Sequence, residues 1–277
     1  MTQMKVGITT PLEDGAHGAI LKVSELGLKA CQVTCVHLEP LTPENAVELR
    51  AASAEFGIEI ATMSVHIPVR QVWNFDDGPE TIGLTPLQNR VAGMRMFKQT
   101  SDFAKWAGVP SIKIHLGFTP ENPHDPLYIS LVEALKDLAA YCAANGNDLW
   151  LESGQETPVT LLRVIQDVGA SNVGINLDAG NMIMYARANA VDCLEVFGRY
   201  VWGVHIKDGE YPTDGHQLGA SKPIGQGKVN FPLFIARLAE LGFTGVLAIE
   251  QAIRPETVNE IKRATGYLES IIARLDA

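Results

Sequence analysis

Residues 149–157 read Leu-Trp-Leu-Glu-Ser-Gly-Gln-Glu-Thr, LWLESGQET. An apolar run, Leu149 to Leu151, stops on a carboxylate, Glu152, and a glycine and a polar cluster follow. A buried strand gains nothing by ending on an acid, because a carboxylate is costly to desolvate without a partner. The ending is repeated downstream. GINLD closes on Asp178, WGVH on His205 and VLAIE on Glu250. Acidic residues number 32 and histidines 7 among 277, so four consecutive endings of this kind arise by chance roughly once in 2,400 trials, at about one residue in seven.

Working outward, short apolar β-rich runs recur at Lys5–Thr9, Ala30–Val36, Ile58–His66, Ser111–His115, Leu149–Glu152, Val173–Asp178, Val201–Lys207 and Gly245–Glu250. Most are continuously apolar, as parallel strands covered on both faces require. Amphipathic segments lie between them: Ala46–Phe56, Val91–Ala107, Tyr128–Ala144 and Pro232–Leu241. Glycines at 57, 108, 146, 169, 198 and 242 are placed to end helices. Eight strands alternating with helices predict an α/β fold, a closed (β/α)8 TIM barrel, with residues 1–277 as a single domain. A doubly wound open sheet is the competitor, but the glycine-rich GxGxxG turn expected after an early strand does not occur.

Composition narrows the function classes. The chain is 46% hydrophobic with a formal net charge of −10 and no basic run, which disfavours nucleic acid and anionic membranes as partners. No apolar run approaches the roughly 18 residues of a membrane span. The amino terminus, MTQMKVGITTPLED, lacks a charged stretch leading into an apolar core. Cys31, Cys35, Cys142 and Cys193 form no CxxC pair, so reduced thiols and a cytoplasmic location are expected.

A barrel brings its strand ends to one mouth. Three carboxylates and an imidazole gathered there repel one another unless a cation joins them. Glu152, Asp178, His205 and Glu250 are therefore expected to bind one divalent metal ion, with Mn²⁺, Mg²⁺, Co²⁺ and Zn²⁺ all compatible with that donor set. The alternative is four separately solvated rim residues. Candidate substrate contacts at the same mouth are His66, ending SVH, and His115, ending IKIH, together with Glu156, which otherwise begins the next helix. Lys207 shares a strand face with His205. The long connections Pro68–Pro86 and Asp208–Asn230 both leave that face, where barrels place their active sites. The second is expected to cover the site, with Lys207 and Asp208 at its root and its glycines allowing close approach of backbone to ligand.

From Asp148 to Gln251 the chain resembles the xylose isomerase-like TIM-barrel superfamily, which includes sugar-phosphate isomerases and epimerases. The resemblance rests on LWLESGQET, NVGINLDAGN, VWGVHIKDGE, IGQGKVNF and GFTGVLAIE. In similar ketose 3-epimerases the equivalents of Glu152, Asp178, His205 and Glu250 hold one metal, and the two glutamates exchange protons with the substrate. The resemblance thus implies a divalent-metal-dependent isomerase or epimerase. Its substrate would be a sugar, sugar phosphate or inositol-derived ketone, its mechanism proton transfer through a metal-stabilised enediolate with Glu152 and Glu250 as catalytic residues, and its assembly a dimer or tetramer. Two positions depart from those epimerases: Asn181 stands where they have histidine, and Tyr211 where they have arginine. Asn181 is retained as a substrate contact. Endonuclease IV-like DNA repair is the alternative within the superfamily, with Asp214 and His216 as further metal ligands. A non-catalytic sugar-binding barrel is a third reading.

Overall fold

The computed structural model describes residues 4–67 and 69–275; Pro68, where one of the long connections begins, lies outside them. Eight parallel strands form the closed barrel: β1 (Lys5–Pro11), β2 (Ala30–Cys35), β3 (Glu59–Val65), β4 (Ser111–His115), β5 (Asp148–Glu152), β6 (Val173–Asp178), β7 (Val201–Ile206) and β8 (Val246–Ile249). Each pairs with its neighbours in sequence, and β1 closes on β8 through Lys5↔Val246 to Ile8↔Ile249.

The outer ring comprises α1 (Ala16–Glu25), α2 (Pro43–Phe56), α3 (Leu87–Ala107), α4 (Pro126–Asn145), α5 (Pro158–Val168), α6 (Ala190–Phe197), α7 (Phe231–Glu240) and α8 (Val258–Leu275). The starts of α2, α4 and α5 are written in the chain. Thr42, Asp125 and Thr157 each accept a hydrogen bond from a first-turn amide, and each precedes a proline at the first helical position, where the missing N–H costs nothing. The apolar segments read from the sequence begin three residues inside α2 and two inside α4, because caps and prolines lie outside the buried stripe. Gly57, Gly108, Gly146 and Gly169 end their helices in the left-handed conformation. Gly198 does not: its φ is −51°. A Cβ there would lie 2.5 Å from Leu241 Cδ1, so close packing is what favours glycine.

Strand alternation fills the barrel in layers. The floor is a cluster of Trp150 and Trp202 with Ala30, Ala61, Val246 and Ala248. Glycines make room for the indoles, since a Cβ on Gly174 would lie 2.3 Å from the Trp202 ring. Above them Gln32 Nε2 donates to Asn176 Oδ1 at 3.0 Å. Two residues beyond Trp150 on β5 comes Glu152, and two beyond Asn176 on β6 comes Asp178, both at the mouth. The four cysteines are buried and free. None of the described helices is long and apolar enough to cross a membrane.

Candidate metal centre and active site

The last residues of β5 and β6 are Glu152 and Asp178; His205 is the penultimate residue of β7, and Glu250 follows β8 directly. Each lies on the inward phase of its strand. One ligand atom from each can be chosen so that all four lie within 4.8 Å of one another. Glu152, Asp178 and His205 are buried, whereas the Glu250 side chain is 31% exposed and looks into the mouth. Among the described residues this is the only such group.

Asp178 divides its two oxygens between two tasks. Oδ1 accepts from the Asn181 amide at 2.8 Å and caps the short helix Ala179–Met184. Oδ2 has no hydrogen-bond partner and lies 3.7 Å from His205 Nδ1. His205 is fixed from behind, its Nε2 lying 2.8 Å from Gln32 Oε1. Because the Gln32 amide nitrogen is committed to Asn176, that oxygen is an acceptor, Nε2 carries the hydrogen, and Nδ1 faces the carboxylates. Nδ1 lies 2.9 Å from Glu152 Oε1 and 3.8 Å from Glu250 Oε1. Glu152 Oε1, Asp178 Oδ2 and His205 Nδ1 are all buried without a hydrogen-bond partner. Three converging orphaned donor atoms, hard oxygens and one imidazole nitrogen, fit a divalent ion.

Without an ion the cluster is balanced by protons and lysines. Burial and Lys113 oppose a charge on His205, but Glu152 and Glu250 prevail and push it up to about 9. Burial raises Asp178 to about 6 despite Lys207. Glu250 is brought down to about 2: burial acts against this, and Lys207 and His205 outweigh it. Glu152 is likewise held well below the usual carboxylate range, with Lys113 and His205 overcoming its burial.

Lys113 is the residue at the cluster that reading strand ends passes over. Its ammonium pairs with Glu152 Oε2, and it is almost fully buried. It sits two residues before His115, so the same alternation that flags His115 points Lys113 inward. Gln32, one layer below the mouth, carries no signal at a strand end at all.

The other expected contacts divide into two groups. His66, His115 and Lys207 line a mouth cavity of about 400 Å³ with Lys113, His205 and Glu250. Lys207 Nζ lies 2.8 Å from Glu250 Oε2 and 4.0 Å from Asp178 Oδ2. Burial lowers His115 to about 4 and also lowers His66, so both imidazoles are neutral at physiological pH. Trp73 meets His115 edge-on at 5.3 Å. Asn181 lines an adjoining cavity with Trp73 and Tyr185.

Glu156 and Asp208 stand apart from this cavity. Glu156 does not begin a helix; Thr157 is the cap of α5. Its carboxyl is buried with neither oxygen partnered. Burial pushes it up to about 8, against its own backbone amide and Arg187. Asp208 is committed to the long loop. Its Oδ1 accepts from the amides of Gly209 and Val229, and its Oδ2 from those of Gly225 and Gly227. A Cβ on Gly227 would lie 2.2 Å from Asp208 Oδ1, so the close approach this glycine permits is to the protein itself. Asp208–Gly209 also pairs with Ser221–Lys222 in an antiparallel ribbon. Asp214 and His216 lie outside the four-residue cluster; the His216 ring is exposed and faces Asp76 at 2.8 Å.

The family described as xylose isomerase-like TIM barrel matches residues 20–271. A xylose isomerase domain protein from Planctomyces limnophilus superposes with a TM-score of 0.89 at 30% identity, covering 97% of this chain and 96% of that one. A D-tagatose 3-epimerase-like protein gives 0.75 at 20% identity, covering 99% and 98%. A xylose isomerase-like TIM barrel protein from Mycobacterium smegmatis, in complex with magnesium, gives 0.72 at 21% identity, again covering 99% and 98%. At such identities the last two likenesses establish the fold alone.

Proposed function

The chain belongs to the xylose isomerase-like TIM barrel family, and from that premise we propose that it is a divalent-metal-dependent isomerase or epimerase of a sugar-like hydroxy ketone. The observation that carries the reading is the convergence of unpartnered Glu152, Asp178 and His205 atoms with Glu250 at the barrel mouth. Epimerase-like and magnesium-bound neighbours of the same fold support it.

When bound, the ion supplies Lewis-acid stabilisation of negative charge developing on substrate oxygens. The residues do the rest. Asp178 and His205 anchor the ligand set, one as a helix cap and the other through Gln32. Glu250 faces the cavity and takes a proton from the carbon beside the carbonyl. Glu152 lies three strands away, beyond β7 and β6 in the barrel order, and serves the other face of the same carbon. Lys113 and Lys207 hold these glutamates ionised before the reaction and so keep them competent as bases. His66 and His115, both neutral, hydrogen-bond substrate hydroxyls, and Trp73 excludes water beside them.

Incubation of ketoses, ketose phosphates and inososes with the Mn²⁺- or Mg²⁺-loaded protein in deuterated water tests this. Carbon-bound deuterium in one of them is the expected result. A protein that binds these compounds and the ion yet incorporates none is a binding barrel.

A further inference from the structure

The mouth cavity carries more positive charge than the metal cluster alone requires. Three carboxylates, a neutral His205 and a divalent ion leave one unit of negative charge. Lys113 and Lys207 both line the cavity, and both pair with cluster carboxylates. Adding two ammoniums reverses the balance to one unit of positive charge. A largely buried site with unmatched charge is completed by a ligand of the opposite sign.

Hydrogen-bonding capacity points the same way. An ammonium has three N–H donors. Lys113 donates to Glu152 and Lys207 to Glu250, one hydrogen bond each, which leaves donors on both for a ligand. His66 and His115 lie on the same cavity wall, their ring centroids 6.1 Å apart.

We propose that the substrate is an anionic sugar derivative, a 2-keto polyhydroxy acid, whose carboxylate is matched by Lys113 and Lys207 beside the metal cluster. This rests on the metal-dependent reading above and names its substrate class. The position of the lysines selects a carboxylate over a phosphate. Lys207 Nζ is 4.0 Å from Asp178 Oδ2, and Lys113 contacts Glu152 directly. The anionic group must therefore sit within a bond or two of the oxygens that approach the cluster. A carboxylate on the carbon next to a ketone does so, whereas the terminal phosphate of a ketose phosphate is several bonds away. Among the described residues no arginine lines this cavity to give a phosphate its bidentate fork. The reaction stays balanced: the proton on the hydroxyl-bearing carbon beside the ketone leaves to a carboxylate and a proton returns to the substrate, with no other reagent.

Calorimetric titration of the Mg²⁺-loaded protein with two matched pairs tests the proposal. 2-Keto-D-gluconate differs from D-fructose, and 2-keto-L-gulonate from L-sorbose, only in having a carboxylate for the terminal hydroxymethyl group. At least one keto acid should bind about tenfold or more tightly than its neutral partner, as one well-placed charge-assisted hydrogen bond allows. The preference should collapse in Lys113→Gln and Lys207→Gln and persist in Lys207→Arg. Equal or tighter binding of both neutral sugars by metal-loaded protein overturns the proposal and leaves the metal site standing. Tighter binding of D-fructose 6-phosphate than of either keto acid overturns it in favour of phosphate. A separate Mg²⁺ and Mn²⁺ titration of the unliganded protein reports on the cluster itself; absence of any ion binding there overturns the metal-dependent reading and this inference with it.

Discussion

His205 Nε2 lies 2.8 Å from Gln32 Oε1, and Gln32 is held in turn by Asn176 at 3.0 Å. This chain of two hydrogen bonds determines which imidazole nitrogen faces the carboxylates. Gln32→Leu removes the acceptor while keeping the side-chain volume close. Metal affinity, measured by calorimetry, should fall by about 10- to 100-fold, the usual consequence of losing an outer partner of a ligating histidine. Unchanged affinity would mean that the ring is oriented by its ligands alone.

Glu250→Gln and Glu152→Gln each keep an oxygen for the ion and remove a base. Turnover should fall by about 10²–10⁴-fold, the range of general acid–base catalysis, with most bound metal retained by elemental analysis. Near-normal deuterium exchange in both variants would move the base elsewhere, with His66, His115 and Lys207 next in line.

Asp208→Ala leaves four backbone amides of the 208–230 loop without their acceptor. At least one or two stay buried and unpaired, costing about 3 kcal/mol in total. In a chain of this length that corresponds to a melting temperature lower by about 5 °C. Trypsin should cut the variant first within that loop, after Lys228, since Lys222 is shielded by the proline that follows it. An unaltered cleavage pattern would show that the loop holds its shape without this anchor.

Glu156 gives stability a pH dependence of defined sign. Its folded-state value of about 8 lies above the ordinary 4.5 because the carboxyl is buried. Between those values the folded chain holds a proton that the unfolded chain has released, so this residue's contribution to stability falls as pH rises from about 4.5 to about 8. Glu156→Gln lacks that proton. Thermal melts of metal-free protein should show the variant gaining on wild type across this window. A difference that stays flat with pH would mean that Glu156 ionises freely in the folded protein.

The barrel and its mouth were legible because both rest on strand periodicity. Continuous apolar runs ending on Glu152, Asp178, His205 and Glu250 reveal at once the parallel sheet and the rim where its ends gather. Lys113 was equally within reach, since it shares the inward phase of His115, but a lysine inside IKIH reads as a solvated side chain until its partner Glu152 is known. Gln32 was out of reach: amides occur at any depth, and only the closure of β1 on β8 brings β2 near β7. Asp208 shows a different limit. Its place after Lys207 suggests a ligand contact, and only the fold of the following 21 residues shows that backbone amides take up its oxygens.

Trp150 and Trp202 stopper the barrel below the Gln32–Asn176 layer, which makes the site a blind well. Any ligand that reaches the cluster from the mouth must leave by the mouth. On the proposed reading, substrate and product would therefore share one way in and out, and accumulated product would compete with substrate for the well.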